Sequence, residues 1–127
     1  MIKKTVSYSS ILGVVVATKR KELGIEQSVL AEEMGLSQAS YSRLESGKSM
    51  FSVDQLFECA QALDIPVQDL FQSVVKMAQN LENSGEVSIQ AQSRGNATRA
   101  KSSEGNEVGS FIAGAALAAL IIGLASK

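Results

Sequence analysis

The sequence predicts an all-α protein with a five-helix domain at residues 8–81, a flexible polar linker at residues 82–107 and a hydrophobic helix at residues 108–125. Three observations support this fold class. Apolar residues recur at helical spacing through the first region, and no segment alternates with period two, so no strand is predicted. The second region is rich in Ser, Gly, Asn, Gln and charge, and it cannot bury enough apolar surface to offset the entropy cost of ordering. The third region carries no charge.

The composition excludes most kinds of catalytic and metal site. The 127 residues carry a formal net charge of -1, with one cysteine and no histidine. Any basic surface must therefore be local, and disulfide frameworks, Cys/His metal sites and His-dependent catalysis are excluded. No nucleophile stands beside a base and no glycine loop is suited to cradle phosphate, so we predict no enzyme, cofactor or small-molecule ligand. Cys59, in the apolar stretch FECAQAL, is predicted to be a small buried residue rather than a reactive thiol.

Helix 1 is predicted over about residues 9–23. Its apolar run ILGVVVA follows MIKK, a pairing that resembles a signal peptide, but the run ends in TKRK rather than in small residues at a cleavage site. The same residues fit the first helix of a domain, which Gly24 would end. The inner side of this helix is predicted to carry Leu12, Val15, Val16 and Leu23.

Helices 2 and 3 are predicted over residues 27–34 and from Ser37 to about Ser46. Only GLS joins them, and a turn this short forces a steep crossing. Gly35 can adopt the left-handed conformation that the turn requires without steric cost. Ala31, four residues earlier, has a side chain small enough for helix 3 to pass close over helix 2.

Helices 4 and 5 have clear starts in the sequence. Ser52 is predicted to open helix 4, because Gln55 stands three residues later as a capping box requires. Pro66 suits the first turn of helix 5, which continues to about Leu81. An apolar group on helix 5 could form a dimer interface or belong to the core, and the sequence leaves both possibilities open. Its members are Phe71, Val74, Val75 and Met77.

The stretch from Leu12 to about Phe71 resembles the Cro/lambda-repressor family of helix-turn-helix proteins, also called XRE-type. The resemblance is carried by KRKELGIEQSVLAEEMGLSQASYSRLESGK and by SVDQLFECAQALDIPVQDLF, which supplies the fourth and fifth helices. Tyr41 departs from the family, in which a β-branched residue is common at this position, and Pro66 stands where the family often has Ser or Thr. The resemblance implies a lambda-repressor-like fold and a transcriptional regulator that binds double-stranded DNA, with helix 3 as the recognition helix in the major groove.

Helix 3 is predicted to have two different faces. Tyr41 and Leu44 would face the core. The opposite side would carry the base-contacting residues, which are Gln38, Ala39, Ser42 and Arg43. By the resemblance, Gln38 would pair with adenine, Ala39 would contact a thymine methyl group and Arg43 would prefer guanine. This surface could instead be an ordinary solvated helix face, but the spacing of the whole motif favours DNA contact.

Residues beside helix 3 are implied to contact the DNA backbone or to hold the fold. The implied phosphate contacts are Gln27, Lys48 and Lys19. Gln27 would also brace Gln38, while Arg20 and Glu45 would form a structural ion pair between helices 1 and 3. Specific binding at cellular salt usually needs two half-sites, so a homodimer is predicted.

The hydrophobic helix at residues 108–125 is predicted to be a membrane anchor. Its 18 residues would span about 27 Å, close to the hydrocarbon thickness of about 30 Å. It has no polar face, and a domain this small is expected to have little room to bury such a helix. The DNA-binding domain would then lie in the cytoplasm, tethered to the inner (cell) membrane. A soluble oligomerising helix is the alternative, and an alternative function is a membrane-anchored structural adaptor whose head binds a cytoskeletal or other protein.

Overall fold

The computed structural model describes residues 4–91 and 114–125. The five helices predicted for the first region are present, and their ends lie within three residues of the predicted ones. The described elements are β1 (Lys4–Val6), α1 (Tyr8–Glu22), α2 (Gln27–Glu33), α3 (Gln38–Ser46), α4 (Val53–Leu63), α5 (Val67–Ser84), β2 (Val87–Ile89) and α6 (Gly114–Ala125).

The predicted starts of α3 and α4 are formed as expected. Ser37 Oγ accepts a hydrogen bond from the Ser40 backbone N–H at 3.1 Å, which caps α3. At the start of α4, Ser52 Oγ accepts from the Gln55 N–H, and Gln55 Oε1 accepts from the Ser52 N–H. This reciprocal pair is the capping box, and it satisfies two backbone donors that the helix leaves without partners.

The two strands correct the prediction that the chain contains none. β1 pairs in parallel with β2, with Lys4 opposite Val87 and Val6 opposite Ile89. Strands of three residues are too short to show an alternating pattern, and their pairing is set by the fold rather than by local sequence. The predicted linker also begins too early, because α5 and β2 occupy most of residues 82–91. The rest of the predicted linker, residues 92–107, lies outside the described residues.

α1 is the central helix of the domain. Every residue from Ser10 to Val16 is buried, because α3, α5 and α6 all pack against this helix. A methyl group at Gly13 would lie 2.6 Å from the Leu44 carbonyl oxygen, so α1 and α3 cross almost backbone to backbone. Leu23 is an exception to the predicted inner side, since it is 53% exposed. α1 ends at Glu22, and Leu23 lies in the turn that follows.

Cys59 lies in the core, as predicted. Its side chain is fully buried, and its thiol donates to the Met34 sulfur at 3.5 Å. Burial, together with the charges of Glu45 and Glu58, raises the pKa of the Cys59 thiol to about 12. The thiol therefore stays protonated near neutral pH and acts as a small apolar side chain.

The C-terminal helix α6 packs on the five-helix domain, and the predicted membrane anchor is not supported. α6 contacts α1, α5 and the end of α3, and its Leu117 and Ile121 are 0% and 7% exposed. The expectation that the domain has little room to bury this helix is wrong, because these side chains complete the core beside α1. Among residues 4–91 and 114–125, no helix has the length and hydropathy needed to cross a bilayer. Residues 108–113 of the predicted anchor lie outside the described part of the chain.

Candidate functional site

A tight turn connects α2 to α3. Gly35 has a φ of +74°, the left-handed conformation that favours glycine. The Leu36 N–H donates to the Ala31 carbonyl oxygen at 2.9 Å, and Ala31 is 1% exposed beneath the turn. Gly35 therefore lies within the turn, and Ala31 lies beneath it in α2.

The inner face of α3 is held by one carboxylate. Arg20 Nε donates to Glu45 Oε2 at 2.6 Å, and Arg20 Nη2 donates to Glu45 Oε1 at 3.2 Å. Gln27 Nε2 donates to the same Oε1 at 2.8 Å, and the Tyr41 hydroxyl donates to Oε2. Glu45 therefore joins α1, α2 and α3 at one point. We call these four residues the Glu45 cluster: Arg20, Gln27, Tyr41 and Glu45.

Hydrogen bonds and neighbouring charges keep Glu45 negatively charged and Arg20 positively charged. Burial alone would raise the pKa of Glu45, but the hydrogen bonds from Arg20, Tyr41 and Gln27 outweigh burial and lower this pKa below its ordinary value. The hydrogen bond to Glu45 raises the pKa of Arg20, and burial raises that of Tyr41. Arg20 Nη1 also donates to the Ile25 carbonyl oxygen at 2.8 Å, which fixes the turn after α1. The cluster therefore contains an ionised pair, Arg20 and Glu45, and most of its polar atoms have hydrogen-bond partners.

Gln27 differs from the role that the resemblance implies. Its amide nitrogen donates to Glu45, and the Gln38 side chain makes no hydrogen bond to any described residue. A carboxylate is a stronger acceptor than an amide oxygen, so Glu45 takes the Gln27 donor. The predicted brace between Gln27 and Gln38 is therefore absent from the described structure.

The outer face of α3 is exposed. Gln38, Ala39 and Arg43 are exposed and Ser42 is half-buried. The only hydrogen bond from the Arg43 side chain to a described residue is a long one, at 3.4 Å to Ser40 Oγ. The ion pair between Arg20 and Glu45 is the only one in the described part of the chain, so Arg43 has no carboxylate partner there.

Two lysines outside α3, Lys48 and Lys19, are predicted to contact the DNA backbone. Lys48 is exposed just after α3, and Lys19 is half-buried in the last turn of α1. Neither forms an ion pair with a carboxylate among residues 4–91 and 114–125. Their ammonium groups are free to meet an anion from outside the protein.

The sequence predicts that Tyr41 faces the core, but the hydrogen bond of its hydroxyl to Glu45 was not predicted. Its side chain is 0% exposed, and its hydroxyl reaches Glu45 one turn later on the same helix. Residues four apart on a helix are neighbours, so the spacing of Tyr41 and Glu45 was a usable signal.

A comparison of sequences relates this chain to known regulators. The helix-turn-helix family model HTH_3 matches residues 16–70. A stretch of 54 residues is 35% identical to the cryptic phage CTXphi transcriptional repressor RstR of Vibrio cholerae serotype O1. This match covers 42% of the chain and 48% of the repressor, so the chain spans about half the length of this curated relative.

Solved structures share the fold. The clp gene regulator ClgR from Corynebacterium glutamicum is 25% identical, with a TM-score of 0.57 over 62% of this chain and 83% of that chain. A variant of the restriction-modification controller protein C.Esp1396I, solved bound to its highest affinity operator site, is 22% identical. It has a TM-score of 0.51 over 54% of this chain and 91% of that chain, and at this identity the likeness shows the fold alone.

Proposed function

We infer that the chain, which belongs through residues 16–70 to the XRE-type helix-turn-helix family, is a sequence-specific DNA-binding transcriptional regulator. The observation that carries this proposal is the outer face of α3. Its amide and guanidinium groups are exposed, although the same short helix packs its other face tightly into the core. Groups of this kind recognise base edges in the major groove, which is wide enough to admit a helix.

In this proposal, each group on the outer face of α3 has a partner on the DNA. The Gln38 amide can donate to and accept from adenine at once, and the Arg43 guanidinium can donate two hydrogen bonds to guanine. The Ala39 methyl group would contact the methyl group of thymine, and the Ser42 hydroxyl can meet either a donor or an acceptor.

Phosphate contacts would come from the residues around α3. Lys48 and Lys19 would each offer an ammonium group to the DNA backbone. Gln27 commits one amide hydrogen to Glu45, and its second amide hydrogen would donate to a phosphate oxygen. These contacts would set the position of α3 without reading sequence.

The Glu45 cluster would serve DNA binding by fixing α3 in advance. Its hydrogen bonds connect α3 to α1 and α2 and are made entirely within the protein. A recognition helix that is already ordered loses less conformational entropy on binding than a mobile one.

We further propose a homodimer that brings two copies of α3 to adjacent half-sites. A single domain of this size buries only about 600–1,000 Å² on DNA, which is small for specific binding. On α5, Phe71 and Val75 are 57% and 40% exposed and lie one helical turn apart. Val74 is buried and Met77 packs half-buried against the core, so Phe71 and Val75 are the candidates for the dimer contact.

The test of this function is substitution of Gln38. Duplexes selected from a random pool by the full-length protein provide the preferred site, and titrations then compare that site with unrelated DNA. Gln38→Ala should cost about 1–3 kcal/mol at the preferred site, because a bidentate base contact is lost, and should leave binding to unrelated DNA unchanged. The matched control is Gln61→Ala, an exposed glutamine on α4 that should change neither affinity.

Two results would contradict the proposal. An equal loss of affinity on both DNAs would show that Gln38 does not read a base. Failure of the wild-type protein to enrich any sequence would reject the function of a sequence-specific regulator. It would favour the alternative in which the outer face of α3 binds a protein partner.

A further inference from the structure

The C-terminal helix α6 meets the end of α3, the helix that carries the candidate base contacts. A methyl group at Gly114 would lie 2.6 Å from the Ser46 carbonyl oxygen and 2.8 Å from the Ser46 Cα. Real Cβ atoms essentially never show contacts this short. The first residue of α6 and the last residue of α3 therefore touch through their backbones, and only glycine fits at position 114.

α6 is anchored by one apolar face. Leu117 and Ile121 lie one turn apart and are buried, and Ala118 and Leu120 pack half-buried against the core. The opposite face is open to solvent, with Ile122 67% exposed. The buried face covers α1, whose stretch from Ile11 to Val16 is apolar on all sides and needs neighbours all round.

Docked α6 leaves the outer face of α3 uncovered. Gln38, Ala39, Arg43 and Lys48 are exposed with α6 in place. The close backbone contact with α6 lies at Ser46, the last residue of α3. The docked arrangement is therefore compatible with DNA in the major groove.

We propose that α6 is a brace for the recognition helix, so that docking of α6 and binding of operator DNA reinforce each other. This inference rests on the proposed function for its DNA-binding half. Two sites are coupled when one ligand or segment stabilises the state that the other prefers. Release of α6 would free the last turn of α3 and remove part of the cover of α1, which lowers the population of the binding-ready state. The tail of the chain thereby acts as a built-in control of operator affinity.

Two matched pairs of substitutions in the full chain test the brace. Gly114→Ala adds a methyl group against Ser46, whereas a methyl group at Gly123 has nothing within 4 Å. Ile121→Ala removes a buried side chain, whereas Ile122→Ala removes an exposed one. For each of the four variants, amide hydrogen exchange is measured over α6 and over residues 43–48. The affinity of each variant for the selected operator and for unrelated DNA is measured as well.

We expect Gly114→Ala and Ile121→Ala to raise exchange in α6 and in residues 43–48, and to weaken operator binding about fivefold, at the lower end of typical couplings. Binding to unrelated DNA should fall less, and Gly123→Ala and Ile122→Ala should behave like the wild type. The brace is rejected if all four variants behave alike, or if α6 is released while exchange in residues 43–48 stays constant. A chain that binds no DNA sequence rejects the proposed function, and the exchange data still decide whether α6 holds α3.

Discussion

The two faces of α3 differ in almost every physical respect, although the helix has only nine residues. On the inner face, Tyr41 and Leu44 are 0% and 3% exposed, and the Glu45 carboxylate has three donor side chains. On the outer face, Gln38 and Arg43 are exposed and have few partners or none among the described residues. One face is satisfied by the protein itself, and the other is left for a ligand.

This contrast separates two energetic roles. Side chains of the inner face determine whether α3 is held in place, so their loss should appear in the free energy of unfolding. Side chains of the outer face contribute nothing to folding that the structure shows, so their loss should appear in DNA binding alone. The following predictions test this separation, from the largest expected effect to the smallest.

Glu45→Ala should give the largest effect. It leaves the Arg20 side chain, which is only 9% exposed, without its carboxylate and removes the acceptor of Tyr41. Breaking a buried pair in this way typically costs about 3–5 kcal/mol of unfolding free energy, which urea denaturation would measure. Glu32→Ala is the control, because Glu32 is exposed on α2 and its loss should change stability by about 0.5 kcal/mol or less. Similar losses for both variants would show that the Glu45 cluster does not hold α3.

A pH titration should give a smaller effect from the same carboxylate. The pKa of Glu45 is lower in the folded protein than its ordinary value, so the pair stabilises the fold above that ordinary value. This stabilisation is lost as the pH falls through the folded pKa. The loss is smaller than in Glu45→Ala, because the neutral carboxyl group can still accept hydrogen bonds.

Thermal melts of the wild type and of Glu45→Gln between neutral and acidic pH would isolate this contribution. The difference in melting temperature between the two proteins should shrink as the pH falls, since the wild-type side chain becomes neutral too. A difference that stays constant with pH would mean that the charge of Glu45 adds no stability.

Lys48→Ala should give the smallest effect, and only in binding. Removing one phosphate contact should reduce the slope of log affinity against log salt by about one, without changing sequence preference or unfolding free energy. Lys76→Ala serves as the control, because this exposed lysine lies on α5, away from α3 in the sequence. An unchanged slope would remove Lys48 from the proposed DNA contacts.

The sequence predicts the helices well, because their limits depend on neighbours in the chain. Ser37 caps a donor three residues away, and Ser52 and Gln55 satisfy each other across one turn. Gly35 marks a turn whose conformation few other residues adopt. The helix-turn-helix geometry follows from these short-range features, together with the family resemblance.

Contacts between distant residues were harder to predict. Gln27 donates its hydrogen bond to Glu45 because the fold brings this acceptor close, although the two residues lie 18 positions apart in the sequence. The pairing of β1 with β2 joins the two ends of the five-helix domain and has no local signature.

The docking of α6 could be predicted only by considering two apolar segments of the sequence together. The stretch ILGVVVA in α1 and the tail after residue 108 are both apolar on every side. Considered alone, the first resembles a signal peptide and the second a membrane helix. Each needs a cover, and in the structure α6 and this stretch of α1 each cover part of the other.

The parallel pairing of β1 with β2 has a consequence for the order in which the domain can form during synthesis. A ribosome makes β1 first, and about 80 residues follow before β2 exists, which takes roughly 4–16 s at about 5–20 residues per second. During this interval Val6, which is fully buried in the finished domain, has no strand to pair with. The nascent chain must therefore keep β1 soluble, or shielded by a chaperone, until β2 has emerged.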